Sequence, residues 1–394
     1  MARRNRIVVE DGVYHITARI AHRAFLLADP ETKDLIVAWI YGIADFAGID
    51  VLAWSILDNH IHLEVHVPPV PERYWTSPSG TGPESAARSM RPAERRAPRW
   101  TPDVADAPVP ITPAGDLPSD EAVRKSVADG VPLVILPRPA TGFTMSDDEL
   151  VGRLRSLYRH HSRGAELVAS RWWRMRKAGR HEEVEAEKDA FCRRMYNISL
   201  YMKDLKQRIS QYFNTELGHS GQLWDGRFYS GLVDNDRLAR TYVTAYIDLN
   251  ATKAGLVKRP DAWRWSSYGV ANSNDPYAQR AREGYERALG CPWEEAKARL
   301  ESIFAVRLPD GYDPGVSQTH YTETGPDGRV RLVPLTLPQL VKSAAKRIFR
   351  GGYFARSVAF VRATEKRLPK RFPGASGRLV EFLETLDWNL PLAA

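Results

Sequence analysis

The sequence predicts an α+β fold, an antiparallel sheet with helices packed on one face, and three observations carry that prediction. Residues 12–23, GVYHITARIAHR, alternate apolar and polar as a strand does; residues 29–48 follow with a helical stripe; residues 49–58 and 60–67 are again strand-like, hinged at Asp58-Asn59. A second block, about 184–255, supplies further helices around a short strand.

Each element has a local reason. Asp29 followed by Pro30 is a helix start. From Pro68 to about Glu121 the chain is crowded with Pro, Gly, Ser and Ala, cannot bury enough apolar surface to offset its ordering entropy, and is expected to be disordered, with residues 70–121 as an insertion. Ser146 and Glu149 have capping-box spacing ahead of a helix, which opens a basic helical insertion over 122–189. Met195, Ile198, Met202, Leu205, Ile209 and Phe213 recur at steps of three and four, predicting one long core-facing helix over about 184–216. Residues 221–235 look like a strand with tight turns. Residues 234–255 have a polar cap, helical spacing through Leu238, Tyr242, Ala245 and Leu249, and a terminating Gly255. Residues 271–394 are expected to form a helical, basic C-terminal extension, its last part carrying Lys346, Arg347, Arg350, Arg356, Arg362, Lys366, Arg367, Lys370 and Arg371.

Composition narrows the class. A chain of 394 residues with 43% hydrophobic content can build a substantial core. No apolar run approaches a membrane span, and the start MARRNRIVVEDG turns acidic before a signal-like core develops, so a cytoplasmic, nucleoid-associated protein is expected. Cys192 and Cys291 are too few for a disulfide framework or a cysteine-based zinc site. A net charge of +8 and a pI near 9.4 point to a polyanionic partner.

The chemistry concentrates in Asn59 to Val67, NHIHLEVHV. On a strand His60, His62, Glu64 and His66 share one face and Ile61, Leu63, Val65 and Val67 the other. Two imidazoles about 7 Å apart on one strand face can converge on a divalent ion; the competing reading is a solvated polar face. Tyr246 and Asn250, at i and i+4, are one helical turn apart, and Lys253 at i+7 lies on the same face. A tyrosine hydroxyl, with a pKa near 10, needs a polarised target, a cation or a base to act as a nucleophile. Periodicity does not choose Tyr246 over Tyr242 or Tyr212.

The runs LDNHIHLEV, GQLWDGRF, YIDLNATKAGLV and PDAWRWSSY, in that order, resemble the single-tyrosine HUH transposases, in particular the REP-associated tyrosine transposases of bacteria. The resemblance covers roughly residues 8–69 and 190–270, read as one discontinuous catalytic domain. It implies a ferredoxin-like or RRM-like sheet, and metal-dependent cleavage and rejoining of single-stranded DNA through a 5′-phosphotyrosine. On it, His60, His62 and Asn250 would hold Mg²⁺ or Mn²⁺ and Tyr246 would attack the phosphate. Lys253, Glu64 and His66 are auxiliary candidates, with plain solvent contact the favoured reading of Glu64 and His66. The family's usual Tyr-x-x-x-Asn-Pro-Val-Arg-Ala-Gly becomes Tyr246, Asn250, Ala251, Thr252, Lys253, Ala254 and Gly255 here, so Lys keeps the charge without the bidentate fork of Arg. A palindromic hairpin is the expected partner, and a homodimer exchanging the tyrosine helix is compatible with it. The alternatives are a relaxase-like or replication-initiator nickase and a catalytically silent DNA-binding protein.

Between Val151 and Arg180 nine Lys/Arg stand against one Glu, interleaved with Tyr158, Trp172 and Trp173. Cations with aromatics suit single-stranded nucleic acid. Arg171, Trp172, Trp173, Arg174, Arg176, Lys177 and Arg227 are therefore DNA-binding candidates, against the plainer reading of a basic helix with its Trp residues in the core.

Overall fold

The computed structural model describes residues 8–9, 11–75, 142–158, 163–216, 218, 220–313, 316–317, 320–343 and 353–354. Strand β1 (Gly12–Arg19) leads into α1 (Pro30–Ala47), then β2 (Asp50–Leu57) and β3 (His60–Val67). Helix α1 starts where the Asp29 carboxylate accepts from the Thr32 N–H at 2.7 Å and stops at Gly48, whose φ of 67° is the left-handed conformation a side chain would resist. Helices α2 (Asp147–Leu157), α3 (Gly164–Lys177), α4 (His181–Cys192) and α5 (Ile198–Thr215) precede β4 (Tyr229–Val233). Then come α6 (Arg237–Asp248), α7 (Asn250–Lys253), α8 (Ser267–Ala271), α9 (Ala278–Leu289) and α10 (Trp293–Ala305), a hairpin of β5 (His320–Thr324) and β6 (Val330–Pro334), α11 (Leu337–Ser343) and the short β7 (Tyr353–Phe354).

The main sheet runs β2-β3-β1-β4-β7, with its first four strands antiparallel and β7 parallel to β4. This is the α+β architecture the sequence predicts. The helices on one face are α1 and α5: Tyr201 Oη donates to the Ile40 carbonyl, and Trp54 Nε1 donates to Tyr41 Oη at 3.0 Å from beneath. Ile16, Trp54, Leu63 and Val65 fill that side completely buried, each such side chain contributing roughly 1.5–3 kcal/mol. The polar face of β3 is covered too, by α6, whose Thr244 Oγ1 donates to Glu64 Oε2 at 2.7 Å. Helix α9 closes the same side, its Tyr285 Oη donating to the Asp248 carboxylate at 2.9 and 3.0 Å. Helices therefore lie on both faces, where the alternation of β3 alone suggested one.

The expected long helix over 184–216 is two helices. Tyr196 sits at φ 51°, and Asn197 caps α5 by accepting from the N–H groups of Ser199 at 2.9 Å and Leu200 at 3.2 Å. The apolar stripe runs through the break because both pieces face one core, but the asparagine oxygen competes for the helix donors. Helices α6 and α7 are separated only by Leu249, itself right-handed helical, and end at Gly255 with φ 73°.

In the expected insertion over 122–189, α2 packs on α1 through Arg153, whose Nη1 donates to the carbonyls of Asp45 and Phe46. Residues 76–141, with most of the expected disordered stretch, lie outside the described residues, as does most of the basic segment 342–371. The C-terminal extension is mixed rather than purely helical, since it contains the β5–β6 hairpin. Among the described residues no helix is long and apolar enough to cross a membrane.

Candidate active site

The site grows from the register of the three central strands. His62 lies directly across from Thr17 and His60 from Arg19, so these side chains share one face. His15 Nε2 and His62 Nδ1 are 3.0 Å apart with rings stacked at 5.3 Å, and Thr17 Oγ1 is 3.2 Å from the same Nδ1. These contacts occupy Nδ1 of His62 and fix its ring, so that Nε2 is the nitrogen they leave uncontacted. His60 is oriented likewise, its Nδ1 2.6 Å from Asn59 Oδ1. The two rings meet edge to face at 4.9 Å.

Helix α6 brings the tyrosine. The Tyr246 ring is 6.0 Å from His62 and 5.6 Å from His15, and only 8% exposed. Tyr242 is fully buried in the core, and Tyr212 packs 5.7 Å from Trp39 of α1, under the opposite face. Asn250 Nδ2 donates to the carbonyls of Tyr246 at 2.7 Å and Ile247 at 3.3 Å, which leaves its amide oxygen free to act as a ligand. Lys253 Nζ sits 4.3 Å over the Tyr246 ring; it is buried and has no hydrogen-bond partner among the described residues.

The electrostatics favour uncharged ligands. Burial holds His15 down to about 3, and burial followed by the charge of Arg19 holds His60 down to about 4. His62 lies well below the usual imidazole range, through burial first and then the neighbouring His60, His15, Lys253 and Arg19. Both ligand candidates are thus neutral at physiological pH, as metal binding requires. Burial raises the Tyr246 phenol, and Arg19 opposes that rise. Burial also drives the Lys253 ammonium well below its ordinary value. Among the described residues no three His, Cys, Asp or Glu side chains gather to hold an ion. Two imidazoles, an amide oxygen and oxygens from a phosphate or water nevertheless fit a hard divalent cation.

Glu64 and His66 stand apart from this group. Glu64 does not face solvent: it is fully buried beneath α6, with Oε2 on Thr244 and Oε1 without a partner among the described residues, and burial pushes its carboxyl up to about 8 despite Thr244 and Arg240. His66, at the far end of the strand, bridges Asp50 at 3.0 Å and Asp11 at 2.7 Å.

The aromatic and basic candidates on α3 divide. Trp172 is a core residue, 1% exposed, its Nε1 donating to Glu187 Oε2 at 2.8 Å; it is not available to a base. Arg171 pairs with the same carboxylate at 2.5 Å, Arg176 pairs with Asp147 and Glu185, and Arg174 bonds the Ser170 carbonyl. Trp173 is exposed, with Lys177 Nζ 4.1 Å over its ring, and Arg227 is exposed beyond Trp224.

Sequence reasoning missed His15, Thr17, Arg19 and Arg23, because single residues on a neighbouring strand and turn carry no spacing signal. It also left the role of PDAWRWSSY open. That run borders β2: Ile56 N–H donates to the Trp265 carbonyl and Trp263 Nε1 to the Ile56 carbonyl. With Lys33, whose Nζ is 4.7 Å over Trp265 and 2.7 Å from Asp58, it pins the turn before His60.

Fold and site together define an α+β protein with a histidine pair on a sheet and a tyrosine on the helix above it. No protein-family model matches the chain. No curated protein matches it either. Among solved structures, that of a REP-associated tyrosine transposase bound to a REP hairpin is similar over 70% of this chain and 89% of that one, at 14% identity and a TM-score of 0.32. That is a distant structural likeness and carries no functional weight.

Proposed function

We propose that the protein cuts single-stranded DNA by attack of Tyr246 on a backbone phosphate, with Mg²⁺ or Mn²⁺ held by His60, His62 and Asn250, and rejoins strands by the reverse step. The observation that carries this reading is the meeting of Tyr246 with His62 at 6.0 Å, with His60 beside it, from segments almost two hundred residues apart. Two oriented neutral imidazoles next to a buried phenol have a simpler purpose in phosphoryl transfer than in packing, since a polar cluster costs stability unless fully satisfied.

A bound divalent ion would supply Lewis-acid polarisation of a phosphate oxygen. The chain supplies the rest. Thr17, His15 and Asn59 hold the imidazoles in place, and α6 holds the phenol against them. The Tyr246 oxygen forms the new bond to phosphorus while the bond to the 3′-oxygen breaks; the phenolic proton passes to water and the departing 3′-oxygen takes a proton from water. Lys253, over the phenol ring and biased by burial toward the neutral amine, stands where it can take up a proton as negative charge develops at the reacting phosphate. Because the phosphotyrosine keeps the phosphodiester's energy, a 3′-hydroxyl of another strand can reverse the step. The DNA expected is a single strand flanking a palindromic hairpin.

The test is a labelled hairpin oligonucleotide incubated with the full-length protein and Mn²⁺, read as a denaturant-stable protein–DNA adduct. The adduct is expected with the parent and Tyr242→Phe proteins and absent from Tyr246→Phe. An adduct that survives Tyr246→Phe refutes the nucleophile, and none from the parent refutes the reading.

A further inference from the structure

Beside His60 lies a cleft of about 210 Å³ lined by Arg19, Arg23, Asn59 and His60. We infer that Arg19 and Arg23 clamp a backbone phosphate of single-stranded DNA next to the His60, His62 and Tyr246 group. The inference rests on the reading of the protein as a DNA-cutting enzyme and names how its substrate is gripped.

Placement comes first. Arg19 is the last residue of β1, directly opposite His60 and on the same face as His62. Its side chain lines the same cleft as His60. Arg23 follows in a tight turn where His22 and Arg23 both take left-handed φ values, 55° and 57°. Non-glycine residues hold that conformation only when their surroundings enforce it, and such outliers cluster at ligand sites. Here Asn59 does the enforcing: its Nδ2 donates to the Arg23 carbonyl at 3.2 Å while its Oδ1 sits 2.6 Å from His60 Nδ1. One side chain therefore ties the arginine turn to the histidine strand. The other rim is fixed as well, by the Asp225 N–H donating to the Arg19 carbonyl at 2.8 Å.

Charge comes second. Arg155, Arg176, Arg194, Arg264 and Arg280 each pair with a carboxylate. Neither the Arg19 nor the Arg23 side chain has an ion pair or hydrogen bond among the described residues, and no acidic residue lines the cleft. Nearby Asp58 is already taken by Lys33 at 2.7 Å. Two planar guanidinium forks and the Asn59 amide around a small open cleft suit a tetrahedral oxyanion.

The experiment uses full-length Tyr246→Phe protein without divalent metal, and a fluorescent single-stranded oligonucleotide titrated over a series of salt concentrations. Arg19→Ala and Arg23→Ala are each expected to weaken binding and to lower the log–log salt slope by about 0.7, the loss of one phosphate contact on a single strand. Lysine at either position should restore the slope. Parent-like affinity and slope in both alanine variants, with unchanged circular dichroism, overturn the clamp. So does loss of inorganic-phosphate binding with an unchanged DNA slope, since the cleft would then hold only a free anion. The metal-free slope is independent of the adduct: a fallen slope with no adduct from the parent leaves the clamp and removes the cutting reaction, and an adduct with an unchanged slope does the reverse.

Discussion

At the scale of residues, the polar face of β3 holds side chains with different occupations. His60 and His62 are each held at Nδ1 by a neighbour, Glu64 is closed under α6, and His66 is a clasp between Asp11 and Asp50. The clasp has a pH signature. Burial is the largest influence on His66 and lowers it, but the hydrogen bonds from Asp50 and Asp11 together raise its pKa above the ordinary value. A histidine raised on folding contributes stability in full below its unfolded pKa of about 6.5, and loses it as pH climbs through the folded value. His66→Gln should therefore cost about 1 kcal/mol at pH 6 and little at pH 9, the modest size following from the clasp's partial exposure. Urea unfolding at the two pH values checks it, and an equal loss at both would assign the effect to packing.

At the scale of elements, the second helical layer is positioned by close backbone approach. Helix α9 crosses β2 at Gly284, where an added Cβ would come within 2.6 Å of the Leu52 carbonyl oxygen and 2.8 Å of that of Val51. Neither backbone atom can step aside as a flexible side chain could. Gly284→Ala should destabilise the fold by about 1–3 kcal/mol despite the better helix propensity of alanine. Thermal unfolding would reveal it; a more stable variant would mean that α9 can shift freely. The same scale settles α3, where the alternation of buried Trp172 and exposed Trp173 makes one tryptophan core and leaves the other on the surface.

At the scale of the molecule, strand and tyrosine helix come from distant segments, joined through β1 and β4 at the centre of the sheet. A metal bridging β3 and α7 would tie these segments in the native state alone and would stabilise it by linkage. Mn²⁺ at about a hundred times its dissociation constant should add about 2.7 kcal/mol to unfolding of the parent. It should add nothing to a His60→Ala, His62→Ala double variant, and chelator should return the parent to its metal-free midpoint. Calorimetry checks this without DNA or activity, and equal shifts in parent and variant would place the ion elsewhere.

Much of this was determined by the sequence alone. Period-two alternation put His60 and His62 on one strand face, Asp29 and Gly48 bounded α1, and the i, i+4 spacing put Asn250 one turn beyond Tyr246, because each of these follows from local backbone geometry. Local geometry is also where it misled: an unbroken stripe hid the cap at Asn197, and clustered basic residues made Trp172 look like a surface. Only the tertiary structure decided that Tyr246 meets His62 and His15 while Tyr212 packs on α1 under the opposite face. It alone placed His15 behind His62 and Arg19 and Arg23 beside His60. Helix crossing and strand register decide such neighbours, and both are set by packing between segments far apart in the chain.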